Sequence, residues 1–170
     1  MQKLPQVLTD FNTHVDGEGF AGVANKITLP EVIFKTLDKD LTGNAGAFEI
    51  FTGSIDKLES EVELSTLAAT NIWSLIGSEE AAETAIIFRG SLRDGANDVG
   101  LKITYQGIWK SIGFNDLEKG AEVATKYKLS LRKFVLEVDG EENIYINLPT
   151  WEVRINGNDL GSKIKSNLGL

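Results

Sequence analysis

The stretches GLKITYQGIWKSIG, residues 100–113, and ATKYKLSLRKFVLEV, residues 124–138, decide the fold class. In the first, Leu101, Ile103, Tyr105 and Trp109 alternate with Lys102, Thr104, Gln106 and Lys110, the period of two that marks a half-buried strand. In the second, Tyr127, Leu129 and Leu131 share one parity, and Phe134, Leu136 and Val138 share the other. The apolar set therefore changes face near Arg132 and Lys133, and a β-bulge or sharp twist there is the simplest account. Strands this long exceed what a typical globular core requires. The excess points to edges or faces meant for partners.

The same alternation extends outward from these two segments. Strands are expected at Phe11–Val15, Phe20–Leu29, Val32–Leu37, Leu58–Leu67, Thr84–Arg93 and Asn143–Leu148. Asp16-Gly17, Asp94-Gly95 and Asp139-Gly140 suit the tight turns that join such strands. Leu58, Val62 and Leu64 fall on one face of their strand, and Glu59, Glu61 and Glu63 on the other. Residues 38–53 read as irregular. Ala68, Ala69, Ile72, Trp73 and Ile76 recur at helical spacing ahead of Gly77, which predicts one internal helix. A short C-terminal helix is expected within residues 158–167, capped by Asn158 or Asp159. About eight strands around one or two helices make a mainly β domain, a sandwich or a barrel.

Composition bounds what such a domain can do. A chain of 170 residues with 42% hydrophobic content can bury a proper core, and no linker or low-complexity run divides it, so one domain over 1–170 is expected. The absence of cysteine excludes disulfides, thiolate chemistry and cysteine-based zinc sites, and fits folding in a reducing cytoplasm. The opening MQKLPQVLTDF lacks the apolar run of a signal peptide, and no segment approaches the length of a membrane-spanning helix. A soluble chain without stable membrane insertion is the expectation. The formal charge of −8 argues against ordinary nucleic-acid binding, which relies on clustered Lys and Arg. It does not exclude a conduit, because a surface that DNA must pass without sticking should itself be acidic.

The search for chemistry returns mostly structural readings. Gly17, Gly19 and Gly22 complete a G-x-G-x-x-G pattern with Asp38 and Asp40 downstream. A dinucleotide site needs that loop to open a helix, whereas Val23 to Leu29 is rich in β-branched residues and runs into Pro30, so a glycine hairpin is the better reading. His14 is the only histidine and sits in a predicted strand, which leaves no partner of its kind for a histidine metal site. Glu59, Glu61 and Glu63 form a solvated acidic face more readily than a glycosidase pair, since nothing marks one of them as a proton donor. Asp94, Asn97 and Asp98 lack the full ligand spacing of a calcium loop. Of the three tryptophans, Trp73 and Trp109 lie on apolar faces and only Trp151, after Pro149, is free for a contact. That contact could be a sugar in a carbohydrate-binding β-sandwich, with Trp109 beside it. No cofactor and no catalytic or metal site is expected.

Five segments in order then carry a resemblance: DGEGFAGVANKITLPEV at Asp16–Val32, FRGSLRDG at Phe88–Gly95, LEVDGEENIYI at Leu136–Ile146, VRINGNDL at Val153–Leu160 and NLGL at Asn167–Leu170. Together they resemble the major tail tube protein of contractile-tailed bacteriophages and the tube subunit of R-type pyocins. Glu31 departs from that pattern, which has a basic residue after the proline. The resemblance implies a non-enzymatic β-sandwich or barrel-like subunit that forms hexameric rings, stacked into a hollow tube inside a contractile sheath. Ring closure would satisfy edge strands that a monomer leaves open. The tube would conduct DNA as transient cargo, or form a membrane-depolarising channel. A ring protein of a type VI secretion or related injection system shares the architecture.

Residue roles follow from the same resemblance. Lys26, Thr28, Arg89, Ser91, Lys102, Thr104 and Gln106, with Glu59, Glu61 and Glu63, are the candidates to face the channel. An N-terminal arm (1–10), an assembly loop (38–53) and a C-terminal tail (158–170) would make ring-to-ring contacts through Leu4, Pro5, Leu41, Asn44, Phe48, Phe51, Leu168 and Leu170. The implied partners are further copies of the chain and the sheath, tape-measure and baseplate proteins. The implied location is the virion tail or pyocin particle, assembled in the host cytoplasm.

Overall fold

The computed structural model describes residues 4–20 and 23–170. Its strands are β1 (Val7–Val15), β2 (Glu18–Gly19), β3 (Ala24–Thr28), β4 (Phe34–Lys39), β5 (Phe48–Ile55), β6 (Leu58–Leu64), β7 (Ile86–Asp94), β8 (Asn97–Phe114), β9 (Thr125–Val138), β10 (Glu141–Asn147), β11 (Glu152–Ile155) and β12 (Asn158–Asp159). Helical structure among the described residues is limited to α1 (Thr70–Trp73), a 3-10 turn at Glu80–Glu83, and α2 (Ser162–Leu168). None of these is long and apolar enough to cross a membrane.

β8 and β9 form the spine, paired antiparallel from Leu101 opposite Val138 to Phe114 opposite Thr125. Gln106 faces Lys133 but Gly107 faces Leu131, so Arg132 is the extra residue of a bulge. This is the feature that the switch of apolar parity predicts. A Cβ at position 107 would lie 2.3 Å from the Ser130 carbonyl oxygen and 2.7 Å from Leu131 Cα. The backbones approach so closely at the bulge that only glycine fits there.

The bulge is also where β9 changes neighbour. Ahead of it, β9 pairs with β6, which pairs with β3. Beyond it, β9 pairs with β10, which leads on to β11 and β12. β8 divides in the same way, because residues up to Tyr105 pair with β7, and β7 in turn with β1. The result is a forked ten-stranded antiparallel sheet, with β4 and β5 apart as a two-stranded hairpin. At roughly 3.4 Å per residue β8 would span about 60 Å if straight, more than the ~40 Å diameter of a compact chain of this size. It must bend. One buried cluster accordingly draws Leu58, Val62, Tyr127 and Leu129 from one branch and Phe88, Ile103, Tyr105 and Ile146 from the other. With so little helix to cover either branch, the two apolar faces close on each other and the two polar faces point apart. The expected sandwich or barrel-like subunit is one open, forked sheet, not a closed barrel.

Turn chemistry fixes the register of three hairpins. Asp16-Gly17, Asp139-Gly140 and Asn156-Gly157 all have positive φ at both central residues, the backbone that two-residue turns between twisted strands require. The glycine pattern at Gly17 is therefore hairpin chemistry, although its Ala21 and Gly22 lie outside the described residues.

Several local expectations are corrected. The internal helix is a single turn, Thr70–Trp73, because Ile76 instead bridges to Trp109 and the Gly77 amide donates to the Trp109 carbonyl at 3.0 Å, both on the edge of β8. Trp73 is 41% exposed rather than core, with its indole N–H donating to Tyr127 Oη at 3.1 Å. Residues 48–55 are strand β5 rather than irregular loop, and Val32–Leu37 contributes to this separate hairpin rather than to the main sheet. The C-terminal helix begins at Ser162, after Gly161, because Asn158 and Asp159 pair with β11. Residues 7–10 of the expected N-terminal arm are likewise strand, paired with β7.

Candidate functional site

The candidate surfaces are the two polar faces of the forked sheet, its free edges and its two ends. On the β3–β6–β9 branch, cross-strand registers run Lys26–Glu63–Lys126 and Thr28–Glu61–Lys128. Glu59 continues the row, held by Lys110 and by Lys57, whose nitrogen is 3.3 Å away. Hydrogen bonds from Lys110 and then Lys57 hold the Glu59 carboxyl below the usual carboxylate range. Glu63 lies 3.9 Å from Lys126. Such exposed pairs contribute roughly 0–1 kcal/mol each, so their main effect is on surface potential. The three glutamates share this face with Lys26, Lys110, Lys126 and Lys128, which makes it a charge-compensated mosaic rather than an acidic wall.

Arg89, Ser91, Lys102, Thr104 and Gln106 occupy the polar face of the other branch. Arg89 lies opposite Lys102, Lys102 opposite Glu137, and Glu137 opposite Glu142. Lys102 pairs with Glu137 at 3.3 Å and Arg154 with Glu142 at 3.0 Å. The Arg154 guanidinium also stacks 3.9 Å above the Tyr145 ring. The ten channel candidates thus share one continuous polar surface of the sheet. The bulge at Gly107 divides them between the two branches, Lys26, Thr28, Glu59, Glu61 and Glu63 on one and Arg89, Ser91, Lys102, Thr104 and Gln106 on the other.

Free edges lie at both sides of the first branch. Within the described residues β3 pairs only with β6, and β8 beyond Trp109 pairs only with β9. The patch β3–β6–β9–β8 is therefore four antiparallel strands with an open strand on each side. Large apolar residues mark both edges: Leu29, after β3, is 44% exposed, and Phe114, at the end of β8, is 59% exposed.

The ring-contact candidates divide between the two ends of the second branch. Leu4, exposed beside Pro5, reaches the β7–β8 turn, where its Cδ1 would lie 3.0 Å from a Cβ on Gly95. Leu41 and Asn44 lie in the tip joining β4 to β5, with Phe48 and Phe51 on β5. That hairpin is rooted at the opposite end, where Gly53 meets Ile164 of α2. Leu168 and Leu170 close α2 and are exposed. Every residue from Lys35 to Thr52 is exposed, including Leu37, Leu41, Phe48, Ile50 and Phe51. A two-stranded hairpin is marginal by itself in water, and these apolar residues find no cover within their own chain.

The discarded chemistry has structural explanations. Asp98 is engaged by a bidentate Arg93 pair at 2.8 and 2.9 Å, which holds its carboxyl below the usual range. No metal-ligating cluster occurs among the described residues. His14 is half-buried in β1 with Asn12 Nδ2 3.5 Å from its Nε2. Trp109 is fully buried and cannot contact a sugar. Trp151, the tryptophan that the sequence leaves free for a contact, is half-buried in the loop between β10 and β11 and adopts φ +57, a backbone conformation that its position after Pro149 does not disclose.

Comparison with known proteins gives a consistent result. The family profile of phage tail tube protein FII matches residues 5–169. The tail tube protein of Escherichia phage P2 is 26% identical over 170 residues, covering 98% of this chain and 99% of that one. A chain in the PVC sheath–tube complex, an extracellular contractile injection system in its extended state, superposes with a TM-score of 0.57 at 13% identity, covering 78% of this chain and 91% of that one. A chain in the tube-terminating cap of the anti-feeding prophage superposes at 0.60 with 12% identity, covering 81% and 93%. At those identities the structural matches speak for the fold alone.

Proposed function

Because the chain belongs to the phage tail tube protein FII family, whose members are structural proteins and not enzymes, we propose that six copies close into a ring and that rings stack into the hollow inner tube of a contractile tail. The observation that carries this reading is the four-strand patch with an open edge on each side. β3 and the far part of β8 run antiparallel to one another across the patch. Under cyclic symmetry, β8 of one copy therefore meets β3 of the next in antiparallel sense, and an even strand count lets the alternation continue around the ring. Closure removes the edges, the state that barrels reach and open sheets do not.

In this ring the face bearing Lys26, Thr28, Glu59, Glu61 and Glu63 lines the channel. The face bearing Arg89, Ser91, Lys102, Thr104 and Gln106 points outward, toward the sheath. The mechanism is passive: the tube guides DNA as transient cargo, or opens a depolarising path, while the sheath supplies the work. Baseplate and tape-measure proteins are the partners at its ends, and the virion tail or an equivalent particle, assembled in the host cytoplasm, is its place. The likeness to chains from extracellular injection systems supports a second setting, a particle without a genome-filled head.

Negative-stain electron microscopy of the purified, untagged chain over a concentration series tests the reading, since assembly follows mass action. Six-fold rings or hollow tubes are expected. Monomers that persist at high concentration would overturn self-assembly as an intrinsic property.

A further inference from the structure

Trp73, in the single turn α1, stands where the sheet lacks a strand. Ile76 bridges to Trp109 and the Gly77 amide donates to the Trp109 carbonyl at 3.0 Å, on the side of β8 away from β9, so the segment after α1 runs along the free edge of β8. Ile72, just before Trp73, is fully buried in the core cluster, which puts this segment on the core side of the sheet. The indole N–H of Trp73 donates to Oη of the fully buried Tyr127 at 3.1 Å. Its polar atom is thus engaged inward, and the part of the indole left in solvent is hydrocarbon. Apolar residues extend the same side of the sheet to both edges. Ile112 pairs with the buried Tyr127 and Phe114 with the buried Thr125, so Phe114 is exposed on the core side at the edge that Trp73 borders. At the opposite edge Ile27 pairs with the buried Val62. Leu29, two residues on and exposed, takes the same side by alternation.

We infer that Trp73 is the anchor that selects the neighbouring copy at the free edge of β8, its indole covered by Ile27 and Leu29 of that copy, an inference that rests on the ring reading above. When β3 of one copy extends β8 of another, the core-side residues of the two strands come to lie on one continuous face, and Trp73 overhangs the strand that arrives. The other side of the same edges offers no such contact, because it carries Lys26 and Thr28 on β3 and Ser111 and Gly113 on β8. A chain cannot cover Trp73 with its own Leu29, since β6 and β9 separate the two edges. The occupant is therefore a second copy. Tryptophan is among the residue types that most often carry the binding energy of an interface. The helical spacing that places Trp73 in a core is correct about its chemistry, but half of that core belongs to the next molecule.

Acrylamide quenching of tryptophan fluorescence tests the contact. Trp109 is fully buried, so in a Trp151→Phe variant the quenchable emission belongs to Trp73. It should be quenched in the free subunit and become inaccessible, with a shift to shorter wavelength, once rings form. Rings in which Trp73 stays as quenchable as in the free subunit would overturn the anchor and leave the ring reading intact. Failure of the unsubstituted chain to form rings would overturn both. Leu29→Ser supplies an independent measurement, because it alters an exposed residue outside the buried core. The concentration needed for ring formation should rise about tenfold or more, as for loss of a hot-spot contact, with the thermal midpoint of the free subunit unchanged. Ring formation by Leu29→Ser at the concentration that suffices for the unsubstituted chain would overturn the proposal.

Discussion

The β8–β9 spine and the β4–β5 hairpin are both antiparallel pairs, yet they solve opposite problems. The spine buries Tyr105, Trp109, Tyr127 and Leu129 completely and organises every other strand of the sheet. The hairpin leaves Leu37, Phe48, Ile50 and Phe51 in solvent, and Phe51 reaches the rest of the chain through Phe34 at the hairpin base, 5.1 Å away across the pair. A strand pair whose apolar side chains meet their own core defines the subunit. One whose apolar side chains meet nothing defines an appointment with another molecule.

That contrast can be broken most severely at Gly107. Gly107→Val should cost about 3 kcal/mol or more, since its side chain must enter the Ser130 and Leu131 backbone, and urea denaturation reads the loss directly. Leu129→Ala on the same spine should cost about 2–5 kcal/mol by leaving a cavity in a fully buried site, again with a lowered urea midpoint. On the hairpin the same kind of change should barely register. Leu37→Ser and Phe51→Ser should each shift stability by only about 0.5 kcal/mol while abolishing tube formation under conditions where the unsubstituted chain assembles. A hairpin variant that unfolds the subunit would erase the distinction. The smallest effect belongs to Glu59, which is exposed beside the spine. Lys110 and Lys57 lower its folded pKa below the ordinary 4.5, so its contribution is present above that value and is lost as pH falls through the lower folded one. Glu59→Gln should therefore flatten the acid limb of a stability–pH profile without altering the fold near neutrality.

The sequence discloses these two regions unequally. Alternation along residues 100–113 and the parity switch at Arg132 report on a local core, and the core leaves its period in the chain. The bulge was legible because Leu131 and Phe134 must both point inward although an odd spacing separates them. β5 was not legible, because Phe48, Ile50 and Phe51 are exposed and meet no core of their own chain that would impose a period on them. The single-turn helix was misread for a related reason: Ile76 has helical spacing, but an open edge of β8 captures it. The channel candidates could be found by parity, since all lie on polar strand faces. Their division between two branches depends on the change of strand neighbours around Gly107, which alternation alone does not express. The turns at Asp16-Gly17, Gly95 and Asp139-Gly140 were the simplest to read, because positive φ leaves a direct mark on residue choice.

β8 and β9 each run without interruption from one branch of the sheet into the other. In a molecule assembled from two separate sheets, a sideways load on one layer reaches the other only through side-chain contacts that can slide. Here the load passes along two continuous backbones, so shear between the layers must stretch covalent chain before it can displace one layer from the other. The subunit is thereby built as a stiff wall element, able to keep its bore while forces act on its outer surface.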